Sequence, residues 1–519
     1  MRLDDYPRPP GDTGIGVLWS PGKAVAVGMG IIREKWVPEL KAMRVKWVII
    51  PDHEGAEELS AHLLDNDIMP VVRLRRRPPN PGSLNVGQLE GLARHVQEGV
   101  RYFECNGEPD SRREWAGGEA PPDAPDIVIE NWIKDAELIL SAGGLPGTPA
   151  LAAREPGDRW NWFRLLAERK RLDLLEAGAW IAIHNPWGNT PLDYPADAVN
   201  QRGQPLSAEE YEAAGGPAAF QNALSLNDLN TLRIRAANPG QTVIAGYAGF
   251  REFEYWDALA NQALGRAVPV LSTGGGLVVG DAPDARYPRI TPRGQAEGTA
   301  AAAAFMTSDA PETYFCACVG LLANSELGSA ETEWEHAVWY GHYWDEQYGT
   351  RGVLPVVDAL KQLPARPRMV RQAHHAASHR EPNTLSLSKG VPPASGWRIT
   401  ASHNPQDTSR VVRGAASAAG GEPWCCGAAQ RSSMWFSVDL GQPVPVRHVK
   451  VSSPPDTAPR SFILQLSKEG KHWQPVYAQD NNWLLVDATF EPVVARYVAI
   501  TLTADSRHIP WCISAIEIE

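Results

Sequence analysis

Between Gly14 and about Arg366 the chain alternates short, continuous apolar runs with longer amphipathic stretches, and after Gly396 that rhythm is replaced by a period of two. The runs are GIGVLW (14–19), VKWVII (45–50), IMPVVRL (68–74), YFECN (102–106), PALA (149–152), WIAIHN (180–185), VPVLSTGG (268–275) and YFCACVGLL (314–322). A strand that is apolar along its whole length is buried on both faces, which requires a parallel sheet with helices packed over it. The segments between the runs fit such helices. In APDIVIENWIKDAELILSAGG, Ile129, Trp132, Ile133 and Ala136 recur at three- and four-residue steps before Gly143–Gly144 ends the pattern. Eight units of this kind predict an α/β fold, a (β/α)8 TIM barrel over residues 1–365, with a long insertion (186–267) after the sixth strand. An open doubly wound sheet is the competing arrangement.

Residues 366–395 are basic, lack aromatics and carry no apolar periodicity, so they are expected to be a disordered linker. His374, His375 and His379 fall inside it and are expected to be solvated. From 396 to 519 the stretches FSVDLG, RHVKVSS, FILQLS and RYVAITL alternate between turn-rich loops, which predicts an all-β sandwich.

Composition removes several function classes. Lys+Arg 49 against Asp+Glu 61 gives a net charge of −12, a balance that repels a phosphate backbone, so no nucleic-acid partner is expected. Six cysteines without any CxxC pair predict neither a disulfide scaffold nor a metal site. No apolar run approaches the ~18 residues of a membrane span, and MRLDDYPRPPGDTG shows no signal-peptide core. The 19 tryptophans are numerous, and aromatic faces of this kind stack on flat apolar surfaces, sugar rings among them.

In a barrel, chemistry gathers at the carboxyl ends of the strands. Glu108 follows the fourth run, and Pro109 stops that strand. Arg73 ends the third run, His184 and Asn185 the sixth, and Trp19 the first. Asn106, Trp187 and Tyr247 are further candidates to line a cleft. Cleaving a glycosidic bond takes a protonated carboxyl and a second carboxylate, about 5–5.5 Å apart when configuration is retained. A rival reading takes STGGG (272–276) as a phosphate cradle, but its spacing matches neither a dinucleotide fingerprint nor a P-loop.

WRITASHN, MWFSVDLGQPVPVRHVKV, FILQLSKEGKHWQPV, ARYVAITL and PWCISAIEIE together resemble the factor V/VIII type C (discoidin-like) domain. That resemblance implies a jelly-roll sandwich used as a carbohydrate-binding module. His403, Trp424 and Trp483 would be its sugar-contacting loop residues, and Trp435, Trp473 and Trp511 would pack the scaffold. It also implies a calcium loop, but Arg413 stands where the family has Asp, so no cofactor is expected.

The barrel resembles the clan A glycoside hydrolases, with Glu108–Pro109–Asp110 matching the family's Glu-Pro-Asn/Asp. Gly107 replaces the usual Asn before the Glu, with Asn106 adjacent, and Gly274 occupies the place of the nucleophile at the seventh strand. The resemblance implies a glycosidase acting on a poly- or oligosaccharide, a substrate class that suggests export, whereas the visible start suggests the cytosol. Glu108 would be its acid/base, with a pKa raised by burial. Glu326 is the first substitute nucleophile, ahead of Glu252, Glu254 and Asp281. The alternative is a non-catalytic glycan-binding protein that lost its nucleophile at position 274.

Overall fold

The computed structural model describes residues 1–22, 25–74, 82–152, 160–243, 249–363, 396–413, 423–454, 457–479, 482, 486–505 and 510–519. They fall into two compact units. One comprises Met1–Asn238 and Tyr247–Ala365; the other comprises Pro239–Gly246 and Arg366–Glu519. The expected linker 366–395 lies outside the described residues.

Eight parallel strands build the first unit: β1 (Ile15–Leu18), β2 (Trp47–Pro51), β3 (Met69–Leu74), β4 (Tyr102–Cys105), β5 (Leu145–Gly147), β6 (Ile181–Asn185), β7 (Val270–Gly275) and β8 (Tyr314–Ala323). Their order, β5-β4-β3-β2-β1-β8-β7-β6, runs once around a ring. A single parallel bridge between Gly147 and Trp180 closes it. There the Trp180 amide donates to the Pro146 carbonyl at 3.0 Å and the Thr148 amide to the Trp180 carbonyl at 2.9 Å. Residue 147 has to be glycine, because a Cβ would stand 2.5 Å from the Trp180 ring.

Each strand is followed by a helix: α1 (Val37–Ala42), α2 (Ala56–Leu64), α3 (Val86–Gln97), α4 (Ala124–Ala142), α5 (Trp162–Glu168), α6 (Glu252–Leu264), α7 (Pro292–Ser308) and α8 (Val356–Lys361). Local chemistry sets their ends. Asn85 and Gln88 exchange side chain-to-backbone hydrogen bonds in a capping box that starts α3. The apolar face of α4 is buried as its spacing predicts, and the helix stops at Gly143 in a left-handed conformation (φ 92°).

One sequence expectation shifts. The fifth strand is Leu145–Gly147, not 149–152. The PALA stretch instead runs alongside the loop after β4, where the Ala150 carbonyl accepts from the Glu108 amide (2.8 Å) and the Ala152 amide donates to Asp110 (2.8 Å). A proline within each of the two short apolar runs makes the two registers hard to separate in the sequence.

The barrel interior is layered by the two-residue period of its strands. Trp47, Tyr102 and Trp180 meet edge to face, at ring distances of 5.3 and 5.9 Å. Ile49, Val71 and Ala182 belong to the same apolar cluster. Two residues beyond Val71, Tyr102 and Ala182 come Arg73, Glu104 and His184, so the uppermost inward layer is charged.

The second unit contains β10 (Arg398–Ala401), β11 (Val412–Arg413), β12 (Trp424–Ala429), β13 (Trp435–Ser452), β14 (Phe462–Ser467), β15 (Gln474–Gln479), β16 (Val486–Leu502), β17 (Pro510–Ile513) and β18 (Ala515–Ile518). A short ninth strand, β9 (Val338–Tyr340), belongs to the barrel and extends β8 in parallel. Antiparallel pairing dominates the sandwich, with β13 and β16 as its spine. Its core is apolar, including Phe436, Val438, Val446, Leu464, Ile500 and Trp511. A disulfide, Cys425–Cys512, ties β12 to β17. One bridge is not a disulfide scaffold, and the sequence does not single out this pair. Partners 87 residues apart leave no local trace.

Candidate active site

The charged layer at the barrel mouth is one connected set. Arg73 donates through Nε to Glu104 (2.8 Å) and through Nη2 to the Thr273 carbonyl (2.8 Å). The Thr273 hydroxyl donates to the other Glu104 oxygen at 2.9 Å. His184 Nδ1 donates to Glu108 at 3.0 Å, and its Nε2 lies 3.5 Å from Glu104 and 3.0 Å from Arg73 Nη2. Arg113 reaches Glu108 from the solvent side at 2.9 Å. Solvent access grades outward. The Glu104 side chain is fully buried, His184 is 10% exposed, Glu108 26% and Arg113 69%.

These contacts fix the charge states. Burial alone would push Glu108 up; the hydrogen bond and charge of His184, then Arg113, override it and hold the carboxyl at about 2. Burial would likewise raise Glu104, but Arg73 and then His184 bring it to about 2. Burial would neutralise His184, whereas its bonds to the two glutamates lift it to about 9. At neutral pH the ring is therefore an imidazolium between two carboxylates. When it loses the proton, Nε2 becomes an acceptor for the guanidinium of Arg73 beside it. Asp110 goes the other way: burial pushes it up to about 6.

The loop that presents Glu108 is conformationally unusual. Asn106 (φ 53°) and Glu108 (φ 50°) both adopt the left-handed region without being glycine. Such residues cost about 1–3 kcal/mol each and gather at functional sites. Asn106 is buried, and neither atom of its amide has a hydrogen-bond partner.

Several sequence expectations are corrected here. Glu108 is not a raised-pKa acid in this state, because His184 and Arg113 hold it ionised. Trp19 is fully buried edge-on against Trp36 and cannot floor an open cleft. Trp187 is buried against Phe250. Asn185 faces away from His184, as adjacent strand residues do. Its amide is committed to the Phe250 carbonyl, the Tyr314 hydroxyl and Ser272. Tyr247 lies outside the described residues. Glu326 sits in a half-exposed turn after β8 and pairs with Lys35 at 3.4 Å and His342 at 3.8 Å, with no contact to Glu108. Glu252 is buried at the start of α6, where Trp256 donates to it, and Glu254 is held by Arg251.

Gly274 has a neighbour the sequence could not show. A Cβ at that position would stand 2.9 Å from the His184 ring, so the imidazole fills the space a side chain on the seventh strand would need. Glu104 is the residue the sequence reading missed. Its signal was available: a lone acid in an apolar strand, two residues from Tyr102 and opposite Arg73 in register.

In the sandwich, His403 is exposed in the turn after β10, its ring 3.0 Å from the Ser402 hydroxyl. Trp424 is not a loop tip. It is buried in β12 against Trp511 and donates to the Asn404 carbonyl at 3.0 Å. Trp435, expected in the scaffold, is 39% exposed at the start of β13. Trp483 and residues 414–422, where the calcium loop would fall, lie outside the described residues. Among the described residues no group of three or more His, Cys, Asp or Glu side chains could hold a metal ion, and no helix is long and apolar enough to cross a membrane.

Residues 398–517 match the model of the F5/8 type C domain, so the second unit carries that fold. Three similar solved structures each cover about a quarter of the chain. One is chitosan-binding module 1 of a chitosanase/glucanase from Paenibacillus sp. IK-5, at 22% identity over 23% of this chain and 92% of that one, with a TM-score of 0.20. Another is the CBM32 of AlyQ in complex with 4,5-unsaturated mannuronic acid, at 21% identity over 23% and 92%, with a TM-score of 0.20. A third is CpGH89CBM32-5 from Clostridium perfringens in complex with GalNAc-beta-1,3-galactose, at 12% identity over 25% and 98%, with a TM-score of 0.21. No curated protein matches the chain.

Proposed function

We propose that the chain is a carbohydrate-active protein whose barrel mouth cleaves O-glycosidic bonds of a poly- or oligosaccharide. Its F5/8 type C domain would hold the chain on that saccharide and raise the local substrate concentration. The carrying observation is the loop after β4, which presents Glu108 against His184 (3.0 Å) and Arg113 (2.9 Å), the partners that hold it ionised, and two residues on Asp110, which burial pushes up to about 6. Hydrolysis of an acetal needs that division of labour: a proton for the departing oxygen and a negative charge for the oxocarbenium-like centre. Glu108 takes the role of base or nucleophile and Asp110 that of acid. His184, charged and buried beneath Glu108, holds that carboxylate in place.

The test is turnover on a panel of aryl glycosides by the full chain, compared with Glu108→Gln and Asp110→Asn. Each substitution is expected to lower kcat by about 10²-fold or more. Wild-type turnover that survives both changes removes the assignment.

A second reading is favoured by one observation, the imidazole of His184 in the space beside Gly274. On that reading the mouth binds glycan without cleaving it. It predicts saccharide binding, no turnover on any aryl glycoside, and no gain from Gly274→Glu, whose side chain would collide with His184.

A further inference from the structure

Three of the four exposed large aromatic side chains among the described residues, Trp334, Tyr343 and Tyr348, fall within one fifteen-residue stretch after β8; the fourth is Trp435. The stretch belongs to the mouth end of the barrel, because β9 pairs with the last residues of β8, Leu321 with Val338 and Ala323 with Tyr340. Tyr343 stands 59% exposed, edge-on to Trp344 at 4.8 Å and to His336 at 6.0 Å. Tyr348 leans on the other side of Trp344 at 5.6 Å.

The rings are held rigidly. Trp344 donates its indole N–H to the His336 carbonyl at 2.8 Å. Asp345 accepts from His342 Nδ1, the Thr350 hydroxyl and the Gly352 amide, each at 2.7 Å, which locks the turn that carries both tyrosines. Trp344 also lies against the loop after β7, where a Cβ on Gly280 would approach its ring to 3.1 Å. The platform is therefore anchored to a second mouth loop.

We propose that Tyr343, Trp344 and Tyr348 form a saccharide-binding platform at the rim of the barrel mouth, taking one or more pyranose units of an uncharged glycan. This rests on the reading of the mouth as a saccharide site and extends it outward. Rings that present faces and hydroxyls, with exposed His342, Glu346 and Gln347 beside them, match a sugar's mix of C–H face and hydroxyl edge better than an aliphatic partner. Charge selects the class. Residues 326–351 carry six carboxylates (Glu326, Glu331, Glu333, Glu335, Asp345 and Glu346) against one guanidinium, Arg351, so the excess of negative charge disfavours a uronate or sulfated chain.

The experiment is calorimetric titration of the full chain carrying Glu108→Gln, so that no probe is consumed. The probes are cellohexaose, mannohexaose and maltohexaose, with hexagalacturonate as the anionic counterpart. At least one uncharged hexaose should bind. Its affinity should fall about tenfold in the Tyr343→Ala/Tyr348→Ala double variant and return in Tyr343→Phe/Tyr348→Phe, which keeps the rings. Three results overturn the platform: no binding of any uncharged hexaose, binding unchanged by the alanine pair, or hexagalacturonate preferred through these tyrosines. Binding that survives the alanine pair belongs to another site, such as the F5/8 type C domain. The fate of the catalytic reading is read separately, from turnover of the aryl glycosides, so either proposal can fail alone.

Discussion

The barrel and the sandwich bury opposite things. At the head of the barrel core, a guanidinium, an imidazolium and a carboxylate lie within hydrogen-bond reach beneath Glu108. The middle of the sandwich holds valines, leucines, phenylalanine and tryptophan, with a disulfide joining β12 to β17. Ions removed from water carry a desolvation penalty that apolar packing avoids. In the barrel they lie next to a carboxylate open to solvent, Glu108, and hold it in place. The sandwich also buries Arg460, but none of its described carboxylates is buried with it; its guanidinium meets the Asn482 carbonyl.

Four measurements sharpen or break this contrast. The largest effect is expected in the sandwich. Replacing Cys425 and Cys512 by Ser opens a cross-link between residues 87 apart, worth about 4–5 kcal/mol by loop entropy. Hydrogen exchange should rise across β12 and β17 while the barrel strands keep their protection. Equal loosening of both units would remove the contrast.

Next comes Glu104→Ala, which strands Arg73 as a buried cation without its carboxylate and leaves His184 with Glu108 alone. A loss of about 3–5 kcal/mol in barrel protection is expected, with the sandwich unmoved. The charged layer is merely incidental if the variant is as stable as the parent.

A pH series follows. The folded pKa of His184 is raised to about 9 from 6.5, so its contribution is complete below about 6.5 and is lost as pH climbs through 9. Glu104 and Glu108 are lowered to about 2 from 4.5, so theirs is complete above about 4.5 and is lost as pH falls towards 2. The interaction is shared and counts once, about 3 kcal/mol. The contribution of the His184–glutamate cluster should therefore be complete between about pH 4.5 and 6.5, and His184→Gln should abolish its alkaline limb. The smallest effect is assigned to Glu326→Gln. A half-exposed ion pair predicts a change within about 0.5 kcal/mol and unaltered turnover. A large loss of turnover would restore Glu326 as nucleophile.

Sequence periodicity made the architecture readable. Continuous apolar runs marked seven of the eight strands close to where they lie, and the change to alternation announced the sandwich. The fifth strand lies at Leu145–Gly147 rather than in the PALA stretch, and the two are hard to tell apart because both are short and apolar and each contains a proline. Site residues were legible where position alone decides: Arg73, Glu108 and His184 are at strand ends. They were not legible where packing decides. Nothing in the sequence tells the buried Trp19 and Trp424 from exposed Tyr343, and nothing reveals that an imidazole fills the space next to Gly274. The direction of the Glu108 pKa shift was equally hidden, because it depends on neighbours 76 and 5 residues away.

The seam of the barrel has a mechanical consequence. A hoop fastened by one glycine and one indole is weakest at that clasp, and loosening there would first uncover Trp180, whose N–H is now capped by the Leu145 carbonyl at 2.9 Å. Deuterium exchange at that indole N–H would run ahead of global unfolding, making it a gauge of whether the ring is shut.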